Sequence, residues 1–539
     1  MSSKISSRRK FIKKVLLASA FTASGGYTYR KFISPNKETT ITGSILGANA
    51  KIGHKVNTEI KDIKFSVVEK ISTLIIGGGV AGLSAAWWLK KNNYKDFKIL
   101  EMNAEVGGNS FSSENNISKY PWGAHYLVMP TNESIYLKSL LEEIGVIKGY
   151  KNSLPIYDEF SLCADPQERL FFQGEWQEGL LPYKGISELD KQQYREFFTL
   201  VEKLKNQKGS DNKPLFAIPI DYSSQDNAYL NLDHISMAEF MHQKGWNSKT
   251  LTWYINYCCR DDFGMGYEKV SAWAGLHYFA ARNGKAANAE ANTVLTWPEG
   301  NGFLVNYLKK YSAENIENNC FVTSIENFKD FCIVNVFNTK NNTYIQYQAK
   351  QALFCAPRFI ANKVIKNYEK MNLPETSPWL IANISLQNVP VSLSASMAWD
   401  NVSYYSNSLG YIVANHQSLK IPKNDLVLTY YLPLDIQSAK EERMLALKRN
   451  YNDWLNILLS DLNKMHSEIK NYIKNVDFWI WGHGMAAPGI GFLWSEKRKK
   501  LMEPFGNIDF AHSEMSGISL FEEAQFRGIE AAKKVLLRG

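Results

Sequence analysis

A chain of 539 residues, 45% apolar and 13% aromatic, has material for a large packed core, and its length suggests two or three lobes. No apolar run reaches the roughly 18 residues that span a bilayer, which argues against a polytopic membrane fold. The net charge of +9 comes almost wholly from Lys4, Arg8, Arg9, Lys10, Lys13, Lys14, Arg30 and Lys31, leaving a near-neutral body with little electrostatic attraction for nucleic acid.

Ser7-Arg8-Arg9-Lys10-Phe11-Ile12-Lys13, followed by a modest apolar run from Val15 to Ala23, resembles a twin-arginine export signal. The expected route carries folded proteins to the periplasm and suits a protein that binds its cofactor before export. The small-x-small patterns Ala18-Ser19-Ala20 and Ala48-Asn49-Ala50 are both candidate cleavage sites within a leader and linker covering 1–50, and an uncleaved leader acting as an inner-membrane anchor stays open. The alternative is a basic disordered tail.

Ile71-Ser72-Thr73-Leu74-Ile75-Ile76 reads as a buried strand that runs through Gly77-Gly78-Gly79-Val80-Ala81-Gly82 into a helix. In this Gly-x-Gly-x-x-Gly pattern Gly77 permits the tight turn, Gly79 lets backbone approach a pyrophosphate, and Gly82 allows close packing of helix on strand, with Ala81 in the first helical turn. Phe97-Lys98-Ile99-Leu100-Glu101 is a second strand ending in an acid, where the Glu101 carboxylate can accept hydrogen bonds from both ribose hydroxyls.

Gly107-Gly108-Asn109-Ser110 follows, and resembles the double-glycine element of the FAD-dependent amine oxidases, phytoene desaturases and protoporphyrinogen oxidases. The resemblance implies FAD, with backbone at Gly108, Asn109 and Ser110 meeting its phosphates and ribityl chain. Most relatives have arginine where Asn109 stands, so one phosphate contact is expected to be replaced or missing. Phe321-Val322-Thr323-Ser324-Ile325 resembles the strand whose valine backbone meets adenine, and Ala352 to Pro357 the strand that closes the cofactor domain. Near the C-terminus, Ile508 to Glu514 and Glu522-Glu523-Ala524 resemble the closing strand, loop and helix; Glu514 is assigned to the pyrophosphate or ribityl region, and Glu523 and Ala524 to the helix start beside the flavin. Should the flavin be covalently linked, His512 and Cys355 are candidates on position alone.

The fold implied is α/β, a Rossmann-like FAD-binding domain of amine-oxidase type (70–130, 300–370 and 475–539) with an inserted α+β substrate domain (131–299 and 371–474). Helical patterns run from Ile135 to Ile144 and from Glu441 to Lys464. In Pro121-Trp122-Gly123-Ala124-His125-Tyr126, the resemblance places Gly123 and Ala124 along the isoalloxazine, with His125 either facing substrate or packed. Trp481 and His483 are further cleft candidates, and Trp297 reads as core. Six cysteines lack metal-ligand spacing and scaffold density, so no metal is expected; Cys258 and Cys259 read as one buried and one partly exposed thiol.

FAD carries the redox chemistry, so no nucleophile or metal is required. The lysine common near the flavin in amine oxidases has no counterpart in Pro390 to Trp399. Three functions stay open: oxidation of a C–N bond in an amine or amino-acid-like donor, desaturation or isomerisation of an apolar or cyclic substrate, and flavin-based electron transfer or assembly without small-molecule turnover. The partners expected are a small-molecule donor, an electron acceptor of unknown identity and the twin-arginine export machinery.

Overall fold

The computed structural model describes residues 40–47, 50–57, 65, 67–371, 373–419 and 424–538. The twin-arginine pattern, Ala18-Ser19-Ala20 and the Ala48-Asn49 pair lie outside them. In chain order, β1 (Val67–Ile76) leads into α1 (Val80–Lys91) and β2 (Phe97–Leu100), then α2 (Ile135–Ile144). The hairpin β3 (Glu168–Phe172) and β4 (Glu175–Glu178) precedes helices α3 (Lys249–Phe263) and α4 (Ala272–Ala280). The strands β5 (Ile316–Glu317), β6 (Cys320–Asn327), β7 (Cys332–Asn338) and β8 (Thr343–Phe354) come next, then β9 (Thr376–Leu386), β10 (Asp400–Ser403), β11 (Tyr411–Val413) and β12 (Leu426–Pro433). Helices α5 (Ala439–Lys448) and α6 (Tyr451–Met465), strands β13 (Ile473–Ala486) and β14 (Ile508–Phe510), and α7 (Phe521–Arg538) complete the set.

One sheet runs β5-β2-β1-β8-β7-β6, with β14 added on β8. Its strands β1, β2, β8 and β14 are parallel, with Ile76 beside Leu100 and Phe354, and Phe354 beside Phe510. Buried on both faces, β1 ends in the apolar run Leu74-Ile75-Ile76, as suits a central parallel strand. Helices α1 and α7 cover one face, so close together that a Cβ on Gly528 would stand 2.1 Å from the Ala81 carbonyl oxygen. The second sheet runs β13-β9-β12-β11-β10-β3-β4 and carries α5 and α6, while α3 and α4 belong to a second apolar core between the lobes.

Three details of the sequence reading change. Helix α2 has the bounds expected, but it packs on the cofactor lobe: Tyr136 meets Trp88 at 5.4 Å and Phe526 at 6.1 Å, and the apolar residues through Tyr157 share that core. At the other end, the expected boundary at 475 cuts through β13, which pairs with β9 along its length and so belongs to the substrate lobe to Ala486. The single helix expected from Glu441 to Lys464 is two, because the Asn450 side chain accepts from the Asn452 and Asp453 amides and starts α6 afresh.

Residues 40–47 are part of the folded body. Thr42 and Leu46 N–H donate to the Lys474 and Phe478 carbonyls (3.1 and 2.8 Å), and Val476 and Phe478 N–H donate back to Thr42 and Ser44 (2.8 and 2.9 Å). The Ser44 amide also donates to Asp477, at 3.0 Å. This segment thereby covers the edge of the substrate sheet. Among the described residues no helix is long and apolar enough to cross a membrane.

Candidate functional site

The cradle begins where β1 gives out. Gly77 holds φ at +109° and its N–H donates to the Leu100 carbonyl at 2.9 Å, which turns the chain sharply toward α1. A Cβ on Gly82 would lie 2.0 Å from the Gly77 oxygen, so only glycine lets the first turn of α1 close over the loop. At Gly79, the N-cap, a Cβ would meet nothing within 4 Å, and no side chain caps the helix. The free N–H groups of the first turn, with Ala81 among them, thus face open space at the positive end of the helix dipole.

Glu101 is buried, and each of its oxygens takes one backbone N–H, from Gly78 at 2.9 Å and Asn103 at 2.8 Å. Burial pushes its carboxyl above the ordinary range, against the pull of those amides. A carboxylate oxygen has two lone pairs, so both oxygens retain capacity for a ribose hydroxyl. Gly108, at φ +55°, sits over the helix start, its would-be Cβ 3.3 Å from the Gly79 Cα, and the Gly107 N–H donates to Gly78 at 2.8 Å. Ser110 is buried in the short turn that follows. Val322 lies two residues beyond Cys320, whose N–H reaches the Glu101 carbonyl at 2.8 Å.

Asn109 ties the loop down: its amide donates to the Gly484 carbonyl and its own carbonyl accepts from Ala124 at 2.8 Å. That amide is spent on β13, consistent with the loss of a phosphate-binding arginine at this position. A Cβ on Gly123 would strike the Asn109 oxygen at 2.2 Å, so the chain at Gly123-Ala124 lies flush against the cradle.

Beyond it the cleft wall is aromatic. His125 packs on Tyr431 (4.4 Å) and Trp399 (5.6 Å), while the Tyr431 hydroxyl donates to the Gly123 carbonyl at 3.0 Å. Burial lowers the His125 pKa to about 4, so its imidazole is neutral at neutral pH. Trp481 donates to the Trp122 carbonyl at 2.6 Å and stacks in a row with Trp479 and Trp122. His483 stands apart: it is exposed, bonded to Thr376 at 2.7 Å and packed on Phe359 at 4.2 Å.

Residues that no motif announced complete the wall. Arg282 pairs with Asp262 at 2.5 Å, reaches the Tyr126 hydroxyl at 3.3 Å and lies 3.8 Å over the Tyr278 ring. Tyr126 donates to Asp261 at 3.1 Å. Burial, then the neighbouring Asp262 carboxylate, raises the Asp261 pKa, and burial with Glu168 and Asp261 raises that of Asp400. The Arg282 guanidinium thus faces Asp261, Asp262 and Glu168, with Asp400 next to the first and last of these, and the cleft is short of positive charge. The sequence signal available was Arg260-Asp261-Asp262, three charges in succession after a largely apolar helical run.

At the C-terminal end, the Glu514 carboxylate accepts from the Arg358 N–H at 2.7 Å, with His512 3.5 Å away. Glu523 accepts from the Ile220 N–H at 2.6 Å, and Ala524 packs against the cofactor core. Trp297 is buried and stacked on Phe303, as expected of a core residue. Cys355 is buried beside the Gly77 turn, and Cys258 and Cys259 are both buried, which corrects the expectation of one exposed thiol.

Residues 75–144 match a family described as NAD(P)-binding Rossmann-like domain. Oxidoreductase PigB from Serratia sp. (strain ATCC 39006) is 22% identical over 87% of this chain and 75% of its own. Among solved structures, a putrescine oxidase with putrescine bound superposes with a TM-score of 0.63 at 14% identity, over 87% of this chain and 100% of that one. Cyclohexylamine oxidase from Brevibacterium oxydans IH-35A gives 0.61 at 13% identity (87% and 99%), and a CLA-producing fatty acid isomerase from P. acnes gives 0.59 at 15% (86% and 98%). The fold is therefore a mixed α/β one built on a Rossmann-like dinucleotide-binding domain, and it is shared with amine oxidases and with an isomerase.

Proposed function

We propose that this chain is an exported FAD-dependent oxidoreductase that oxidises a C–N bond of an amine or amino-acid-like donor. The observation that carries this reading is the continuity of the cradle at Gly79, Glu101 and Gly108, through Gly123-Ala124, with an aromatic wall that is short of positive charge. The relative named an oxidoreductase supports the reaction class, and the amine oxidases of like fold support the donor class.

The residues present fit the cofactor: a helix start without a cap, open space where Gly79 has no Cβ, and a buried acid with spare acceptor capacity. Bound FAD supplies the two-electron acceptor. Tyr431, Trp399 and Tyr126 exclude water around the donor and hold a cation by packing and cation–π attraction. Asp261, in its carboxylate form, balances the charge of an ammonium and takes its proton, since only the neutral amine can release hydride, while burial keeps Asp400 protonated beside it. Neutral His125 shapes the pocket without adding a competing positive charge.

The test is the visible spectrum of the purified protein before and after denaturation, followed by anaerobic bleaching with panels of amine and apolar donors. Released FAD, bleaching by an amine and peroxide on readmission of air are the results expected. A colourless protein that FAD cannot reconstitute would overturn the reading. Bleaching by an apolar compound without peroxide would select desaturation or isomerisation, which the aromatic share of the same wall favours. Export by the twin-arginine route is checked by fractionation of cells expressing the Arg8→Lys/Arg9→Lys chain, which should retain the protein in the cytoplasm.

A further inference from the structure

Helix α7 starts ahead of its neighbour. Gly528, its eighth residue, packs on Ala81, the second residue of α1, and both helices follow parallel strands of one sheet. At 1.5 Å per residue, α7 therefore projects about 9 Å past the start of α1 and its phosphate-binding turn. Two acids occupy that projecting turn. Glu523 is accounted for in part by the Ile220 amide, but Glu522 is 4% exposed and its Oε1 has no hydrogen-bond partner.

Its charged surroundings are Glu523 on its own helix and, from the substrate lobe, the Arg282–Asp262 pair that borders Tyr126. Arg527, Asp221 and Arg498 form a separate buried network behind Glu523. A buried carboxyl with an unsatisfied oxygen lacks a partner that a bound group would supply. The Arg282–Asp262 pair links this turn to Tyr126, which follows the Gly123-Ala124 stretch of the cradle, so on the FAD reading the isoalloxazine is the group for which it is placed.

We propose that Glu522 is the proton acceptor coupled to cofactor reduction, taking one proton from solvent as the neighbouring ring receives hydride from the donor. The inference rests on the FAD reading above. The balance is complete: the donor loses two electrons and a proton as hydride, the ring gains them, and Glu522 neutralises the added negative charge with a solvent proton. In support, burial raises the Glu522 pKa to about 7, so the group is available in both protonation states at working pH.

The experiment counts protons taken up per FAD during anaerobic photoreduction of the full chain, with a pH indicator, at pH 6 and pH 8. Glu522 is already protonated at the lower pH, so uptake should rise from about one proton at pH 6 toward two at pH 8. A ring titrating at its own N1 gives the opposite trend. Glu522→Gln should bind FAD and lose the rise. A constant or falling count in the unmodified protein overturns the proposal whatever the variant does, as does a Glu522→Gln protein that keeps the rise. A protein that binds no FAD fails at the earlier step and is recognised by its lack of colour.

Discussion

The two sides of the cleft are built by different means. On the cofactor side the work falls to backbone: Gly77, Gly79, Gly82 and Gly108 bring N–H groups and bare Cα atoms where side chains would intrude. On the substrate side it falls to side chains drawn from distant places, with Tyr126, Asp261, Asp262, Arg282 and Asp400 converging from four segments. A backbone site must recur as a pattern of glycines at fixed spacing. A side-chain site needs no fixed spacing, because the fold supplies the proximity.

The sharpest way to separate the two sides is to remove the guanidinium. Arg282→Met leaves Asp262 buried without its partner and should cost about 3–5 kcal/mol, measured by denaturant unfolding. Asp262→Asn in the same chain should recover most of that loss, because the stranded charge is gone. If the single variant unfolds like the parent, the wall is not electrostatically organised as described.

Within the cradle, two glycines of one motif should respond differently. Gly82→Ala forces a methyl against the Gly77 oxygen and should destabilise the chain by about 3 kcal/mol as well as abolish FAD binding. Gly79→Ala meets nothing in the protein itself, so its unfolding midpoint without cofactor should stay at the parent value while FAD binding falls at least tenfold. Calorimetry and FAD titration on both variants test the distinction; equal losses of stability would show that Gly79 is a folding residue rather than a cofactor one.

This division explains what could be read beforehand. The β1-turn-α1-β2 run was legible, apart from the first four residues of β1 (Val67 to Lys70), because burial on both faces, tight turning and an acid at a strand end each leave a sequence trace. The bounds of α2 were legible from its periodicity, but its lobe was not, since an apolar face does not say which core it meets. The boundary at 475 failed for a related reason: Trp479 and Trp481 look like cofactor neighbours, yet β13 reaches them as a strand of the other sheet. Arg282 carried no trace at all, and its partner lies twenty positions earlier across a helix end.

The added strand at residues 40–47 offers a smaller perturbation. Gly43 holds φ at +142°, and a Cβ there would sit 1.8 Å from the Val476 oxygen, so Gly43→Val should detach the segment. Loss of its few hydrogen bonds at an exposed edge should cost roughly 1–2 kcal/mol, with faster amide exchange confined to β13. If export processing occurs, N-terminal sequencing of the exported protein should find a start before residue 40, because cleavage at Ala48-Asn49-Ala50 would discard this strand.

The smallest effect is expected at His125, and only in acid. Its folded pKa of about 4 lies below the ordinary value near 6.5, so between those values the unfolded chain binds a proton that the folded chain refuses. Stability tied to His125 is therefore complete above about pH 6.5 and drains away as pH falls toward 4. His125→Gln has no such proton to bind. Its melting temperature relative to the parent should rise on going from pH 8 to pH 5, and the kcat profile between pH 7 and 9 should keep its shape, since His125 does not titrate there. A parent-minus-variant difference that is flat with pH would mean that the imidazole is solvated, and that the aromatic wall around it is looser than the ring distances indicate.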